Sequence, residues 1–158
     1  MNYKRQFLTI AKKYNVPVIF TQKKYYDALI IRTINEDLDE YSFKQTIALK
    51  DIKTPKHYAI ALHELGHIVN EDFGYIFNRS NKIKPRLNGT VTLHLLKEEF
   101  NAWKTAKVIS PIWIKSMNDT FVFCIASYIV GWQDDWETKL NYDLLLKLVN
   151  LNTPYFKT

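Results

Sequence analysis

Residues 54–70 read Thr54-Pro55-Lys56-His57-Tyr58-Ala59-Ile60-Ala61-Leu62-His63-Glu64-Leu65-Gly66-His67-Ile68-Val69-Asn70, and this stretch decides how the rest of the chain is read. Thr54 is a helix N-cap residue, because its hydroxyl can accept from a backbone N–H of the first turn. Pro55 suits the first helical position, where its missing N–H is no loss. From Tyr58 to Val69 apolar residues lie almost all the way round the helical wheel. A helix of that kind is buried on every side and belongs in the middle of a domain. Asn70 marks its end.

Into this apolar helix the chain places His63, Glu64 and His67. Polar groups are costly to bury without partners, so their presence asks for a reason. Histidines four residues apart share one helix face and can close on a single zinc ion. Glu64, next to the first of them, can reach a water that the metal acidifies and take its proton. Gly66 removes a side chain beside the site and leaves room for a substrate or for a facing helix.

A catalytic zinc usually has three protein ligands and one open position. A third histidine at the short metzincin spacing would need glycine at 70 and histidine at 73, where this chain has Asn70 and Phe73. The third ligand must therefore come from elsewhere. A helix expected over Leu93–Ile109 and halted by Pro111 carries Glu98 and Glu99. Leu95, Leu96, Ala102 and Trp103 lie three or four residues from Glu99, which places it at the centre of an apolar face. A carboxylate there needs a partner, and zinc would supply one. Glu98, toward the edge of that face, and His94, near the helix start, are the alternatives. His57 reads as a solvent-facing residue of the first turn.

Working outward, 47% hydrophobic and 15% aromatic residues exclude a disordered chain. The 158 residues suit a single domain. Cys124 is the only cysteine, so an intrachain disulfide is excluded, and its apolar setting reads as a small core hydrophobe. Before the central helix, a helix over Asn2–Lys13, a short strand over Val18–Thr21, and two strands over Ala28–Ile34 and Ser42–Leu49 are expected. The acidic turn Asn35–Glu40 joins the last two as a hairpin. After it come an irregular polar stretch over Asp72–Val91, the Leu93–Ile109 helix, a helix over Asn118–Val130 stopped by Gly131, and a final amphipathic helix over Asp135–Asn150. The fold class is α+β, with an N-terminal helix and a small antiparallel sheet followed by a mainly helical half. Neither a signal peptide nor a membrane span is visible, and a soluble, cytoplasmic chain is expected.

The net charge of +6 arises mostly in the first 56 residues, which hold 11 basic and 6 acidic side chains, and no nucleic-acid-binding motif accompanies it. The cluster Arg79, Lys82, Lys84 and Arg86 reads as a solvated loop. Trp132, Trp136 and Tyr155 are candidates for a docking surface.

Over roughly residues 1–111 the chain resembles the ImmA/IrrE-type zinc metallopeptidases, small intracellular proteins common on phages and other mobile elements. The resemblance rests on the apolar strand Gln45-Thr46-Ile47-Ala48-Leu49, on His63-Glu64-Leu65-Gly66-His67, and on Glu98-Glu99-Phe100-Asn101-Ala102-Trp103-Lys104-Thr105-Ala106. It implies a single zincin-like domain with His63, His67 and Glu99 as zinc ligands and Glu64 as the base. It also implies a protein substrate or partner of the transcriptional-repressor kind. Phe100 departs from the alanine more usual after the third ligand, and residues 112–158 match no pattern of the family. The competing reading is a catalytically silent zinc-containing module that acts on a protein partner by binding.

Overall fold

The computed structural model describes residues 1–22, 28–34, 43–71 and 89–131, with side-chain detail for 1–22, 28, 30–31, 45–71 and 97–125. Four helices and three strands follow in the order α1 (Tyr3–Lys13), β1 (Val18–Phe20), β2 (Ala28–Ile34), β3 (Phe43–Leu49), α2 (Pro55–Val69), α3 (Gly89–Ile109) and α4 (Lys115–Gly131). This is the expected α+β arrangement. The turn at 35–40, the basic cluster at 79–86, the last helix at 135–150 and the aromatics 132, 136 and 155 lie outside the described residues.

Local chemistry sets the helix ends. Asn2 caps α1 by accepting from the Arg5 N–H at 2.9 Å, and Thr54 caps α2 by accepting from the His57 N–H at 3.2 Å. Each such cap is worth about 1 kcal/mol. Asn15 and Glu71 follow the helix ends with φ of 57°, the left-handed conformation that closes many helix C-termini. At α3 the start lies four residues earlier than expected, at Gly89, so 89–91 belong to the helix and not to the irregular stretch. Likewise α4 begins at Lys115, three residues before the expected Asn118, in the turn that follows Pro111.

The sheet differs from the expected antiparallel one. Strands β2 and β3 do form the antiparallel hairpin, with Ala28 opposite Leu49 and Ile34 opposite Phe43. However, β1 joins the other edge of β3 in parallel, with Val18 opposite Ile47 and Phe20 opposite Leu49, so the sheet is mixed and β3 is its middle strand. The reason is tertiary: β1 follows α1, and that helix is anchored in the core by Phe7 and Ala11. Ile47, Ala48 and Leu49 are buried in succession, as a middle strand covered on both faces requires.

Helix α2 touches α1, β2, β3, α3 and α4, which explains why its sequence is apolar all round. Around it the core collects Phe7, Ile47, Leu49, Tyr58, Leu62, Leu65, Phe100, Trp103, Met117, Phe121 and Ile125. Cys124 is half-buried and packs against this core. Among the described residues no helix is long and apolar enough to cross a membrane.

Candidate metal centre

Helices α2 and α3 meet at Gly66. A Cβ built there would lie 2.3 Å from the Ala102 carbonyl oxygen, a backbone atom that no rotamer change can move. Gly66 therefore serves the facing helix; it is not a gap left for substrate. Around this crossing His63 meets Glu99, Gly66 meets Ala102, and the Thr105 hydroxyl donates to Asn70 Oδ1 at 2.7 Å. Near the start of α2, the Tyr58 hydroxyl meets Ser110 Oγ at 3.2 Å. These contacts fix how far α3 slides along α2, and so which of its side chains face the histidines.

The one that does is Glu99. His63 Nε2 lies 3.0 Å and His67 Nε2 3.6 Å from Glu99 Oε2. One ligand atom from each of the three residues falls within 4.8 Å of the others, and all three residues are buried. Ligands of a tetrahedral zinc with bonds near 2.1 Å are separated by roughly 3.4 Å, which the two shorter distances bracket. His63 Nε2 is buried and lies 3.0 Å from Glu99 Oε2. Either a proton or a cation can be shared among these atoms. Two imidazoles and a carboxylate form a donor set suited to zinc or a neighbouring first-row ion.

Electrostatics in the metal-free site follow from the same contacts. Burial and the neighbouring His67 oppose a charge on His63, but Glu64 and Glu99 outweigh both and hold its imidazole above the ordinary 6.5. For Glu99, burial opposes ionisation, yet His63 and His67 overcome it and keep the carboxyl well below the usual carboxylate range. The carboxylate is thus available as an anion at any ordinary pH.

Glu64 stands beside this group and outside it. Its Oε1 is 3.6 Å from His63 Nδ1, on the other nitrogen of the ring from the one facing Glu99, and it is partly open to solvent. Glu98 is also only partly buried and is not among the three converging residues, so the structure brings Glu99 to the histidines in preference to Glu98. The His94 side chain lies outside the described residues. His57 is half-exposed in the first turn of α2, and its Nδ1 accepts from the Lys53 N–H at 3.4 Å.

The sequence reading missed one member of the site. The Trp103 indole stacks on the His63 ring, with centroids 4.4 Å apart and planes 19° from parallel. It was legible only as an apolar residue one turn after Glu99. That spacing puts it on the same face, but which ring it would meet depends on the partner helix. The chain matches no protein-family model, no curated protein and no solved structure.

Proposed function

We propose that this protein is a zinc-dependent peptidase that hydrolyses a peptide bond in a protein substrate. The observation that carries the reading is the convergence of His63, His67 and Glu99 on one buried point, with the carboxylate of Glu64 alongside and partly solvent-exposed. A site built only to hold structural zinc would be closed by a fourth protein ligand and would have no use for a neighbouring base.

In this reading His63, His67 and Glu99 hold the ion. Zinc bound there supplies Lewis acidity, which brings the pKa of a water toward neutral and polarises a carbonyl. Glu64 accepts the proton of the attacking water and returns it to the leaving amine, so no covalent intermediate with the protein forms. Trp103 and the α2–α3 packing keep the ligands in place. The resemblance to the ImmA/IrrE type supports a cytoplasmic protein acting on a repressor-like substrate.

Elemental analysis of purified wild type, His63→Ala, Glu99→Ala and Glu98→Ala tests the metal. Near-stoichiometric zinc is expected in wild type and Glu98→Ala and is expected to be absent from the other two. Absence of zinc from reconstituted wild type removes the reading. Glu64→Gln then tests catalysis. It should keep its zinc and lose cleavage of a candidate repressor, whereas unchanged function of Glu64→Gln in cells would favour the silent binding module.

A further inference from the structure

We infer that Trp103 is a positioning residue for the metal ligand His63, setting the plane of its imidazole so that Nε2 faces His67 and Glu99. The inference rests on the metal reading above and deepens it.

A histidine ligand must be oriented as well as placed. Rotation about the bond to its ring swings Nε2 through an arc, and only a narrow part of that arc points at the ion. Ligating histidines are usually oriented by a hydrogen bond from their other nitrogen. Here His63 Nδ1 lies 3.6 Å from Glu64 Oε1, a long contact for a hydrogen bond, and that carboxylate is partly solvent-exposed and, in the reading above, serves as the base. A loose contact of this kind can select which way round the ring sits but cannot fix its plane.

The indole can. It is flat against one face of the His63 ring, at 4.4 Å and 19°, while the His67 ring meets His63 edge-on at 4.5 Å and 70°. His63 therefore has an aromatic face laid against its own, and rotation of its ring out of that plane drives it into the indole. Trp103 is itself immobile: it is 0% exposed and is met edge-on by Trp113 at 6.4 Å and by Phe121 at 5.6 Å. Its neighbour Ala102 is seated against Gly66, three residues from His63, so the helix that carries the indole is registered on the helix that carries the ligand. Among the described residues the buried indole N–H makes no hydrogen bond, so packing alone holds the ring. Tryptophan here presents a rigid plane, and a flexible side chain of similar bulk would not.

The test uses Co2+ as the probe ion, because its visible absorption reports coordination geometry. Affinity is measured by competition with a chromophoric chelator on folded wild type, Trp103→Phe and Trp103→Leu. Trp103→Leu should weaken Co2+ binding about 10- to 100-fold and change the visible spectrum, while Trp103→Phe, which keeps a flat ring, should stay within about threefold with an unchanged spectrum. A purely structural role would lower the melting temperature of the metal-free variants without moving either readout. Wild-type affinity and spectrum in folded Trp103→Leu overturn the inference, as does equal weakening by Phe and Leu. Failure of wild type to bind Co2+ at all is the different result that removes the metal reading, and this inference with it. If Trp103→Leu does not fold, the ring protons of His63 in wild type decide by NMR. An upfield ring-current displacement that persists on Zn2+ loading supports the clamp, and its disappearance on loading overturns it.

Discussion

Among the described residues, two polar layers that pack against α2 are satisfied in different ways. Near the start of α2, the Tyr58 hydroxyl pairs with Ser110, which in turn donates to the Ile112 carbonyl. Each partner is neutral, the groups complete one another, and burial raises the pKa of the phenol so that it stays uncharged. Further along α2, one nitrogen each of His63 and His67 and a carboxylate oxygen of Glu99 converge within 4.8 Å of one another. The first layer is complete within the protein. The second brings two imidazoles and a carboxylate together, a set that a proton or, in the proposed reading, a metal ion can bridge, and ion-pair chemistry in a buried place is stabilising only when every charge is matched. In the reading proposed above, the first layer is structural and the second holds the ion.

The largest effect should come from breaking the second layer. Glu99→Ala removes the anionic ligand of the proposed site, and zinc should become undetectable in protein purified without added metal, a loss of at least about 100-fold in affinity. A thermal melt of the metal-free variant should still be cooperative. Retention of stoichiometric zinc would mean that the two layers do not differ as argued.

Gly66→Ala strikes the contact that both layers share. The added methyl meets the backbone of α3, so the helices must separate, and a loss of about 3 kcal/mol or more in chemical denaturation is expected. Metal affinity should fall in the same variant, since Glu99 moves with its helix.

Acidity should separate the layers by sign. His63 is held above 6.5 in the metal-free protein, and it must be neutral to bind metal. Metal affinity should therefore fall by up to about tenfold per pH unit once pH drops through the raised pKa of His63. The metal-free protein behaves differently. The raised pKa of His63 adds stability that is present below 6.5 and lost as pH rises, and the lowered pKa of Glu99 adds stability that is present above 4.5 and lost as pH falls. Its site contribution should thus peak between those values, whereas the metal-loaded form should gain toward higher pH. Melts at pH 5.5 and 8, with and without zinc, would check both.

Tyr58→Phe should lose about 1 kcal/mol of stability, one hydrogen bond's worth, and leave metal affinity unchanged. A change in affinity would join the layers that the comparison keeps apart. The smallest effect is expected at the surface. Lys115 pairs with Asp119 at 2.9 Å with both side chains largely exposed, and Lys115→Ala should shift stability by less than about 0.5 kcal/mol.

The parts of this protein that its sequence determines by itself are those whose causes lie within a few residues. Thr54, Pro55 and Asn70 bound α2 because capping acts over one turn. His63 and His67 share a face because the helical repeat places them there. The all-round apolar pattern of that helix put it at the centre before any neighbour was known. The tertiary structure alone decided the rest. Glu99 and not Glu98 meets the histidines because the Gly66–Ala102 contact sets the rotation and slide of α3, and a rotation of one residue would exchange them. The parallel placement of β1 depends on where α1 packs, and the stacking of Trp103 on His63 depends on two helices distant in sequence. Short-range hydrogen bonding and periodicity are written in adjacent residues, but the mutual placement of two helices is a property of both surfaces at once.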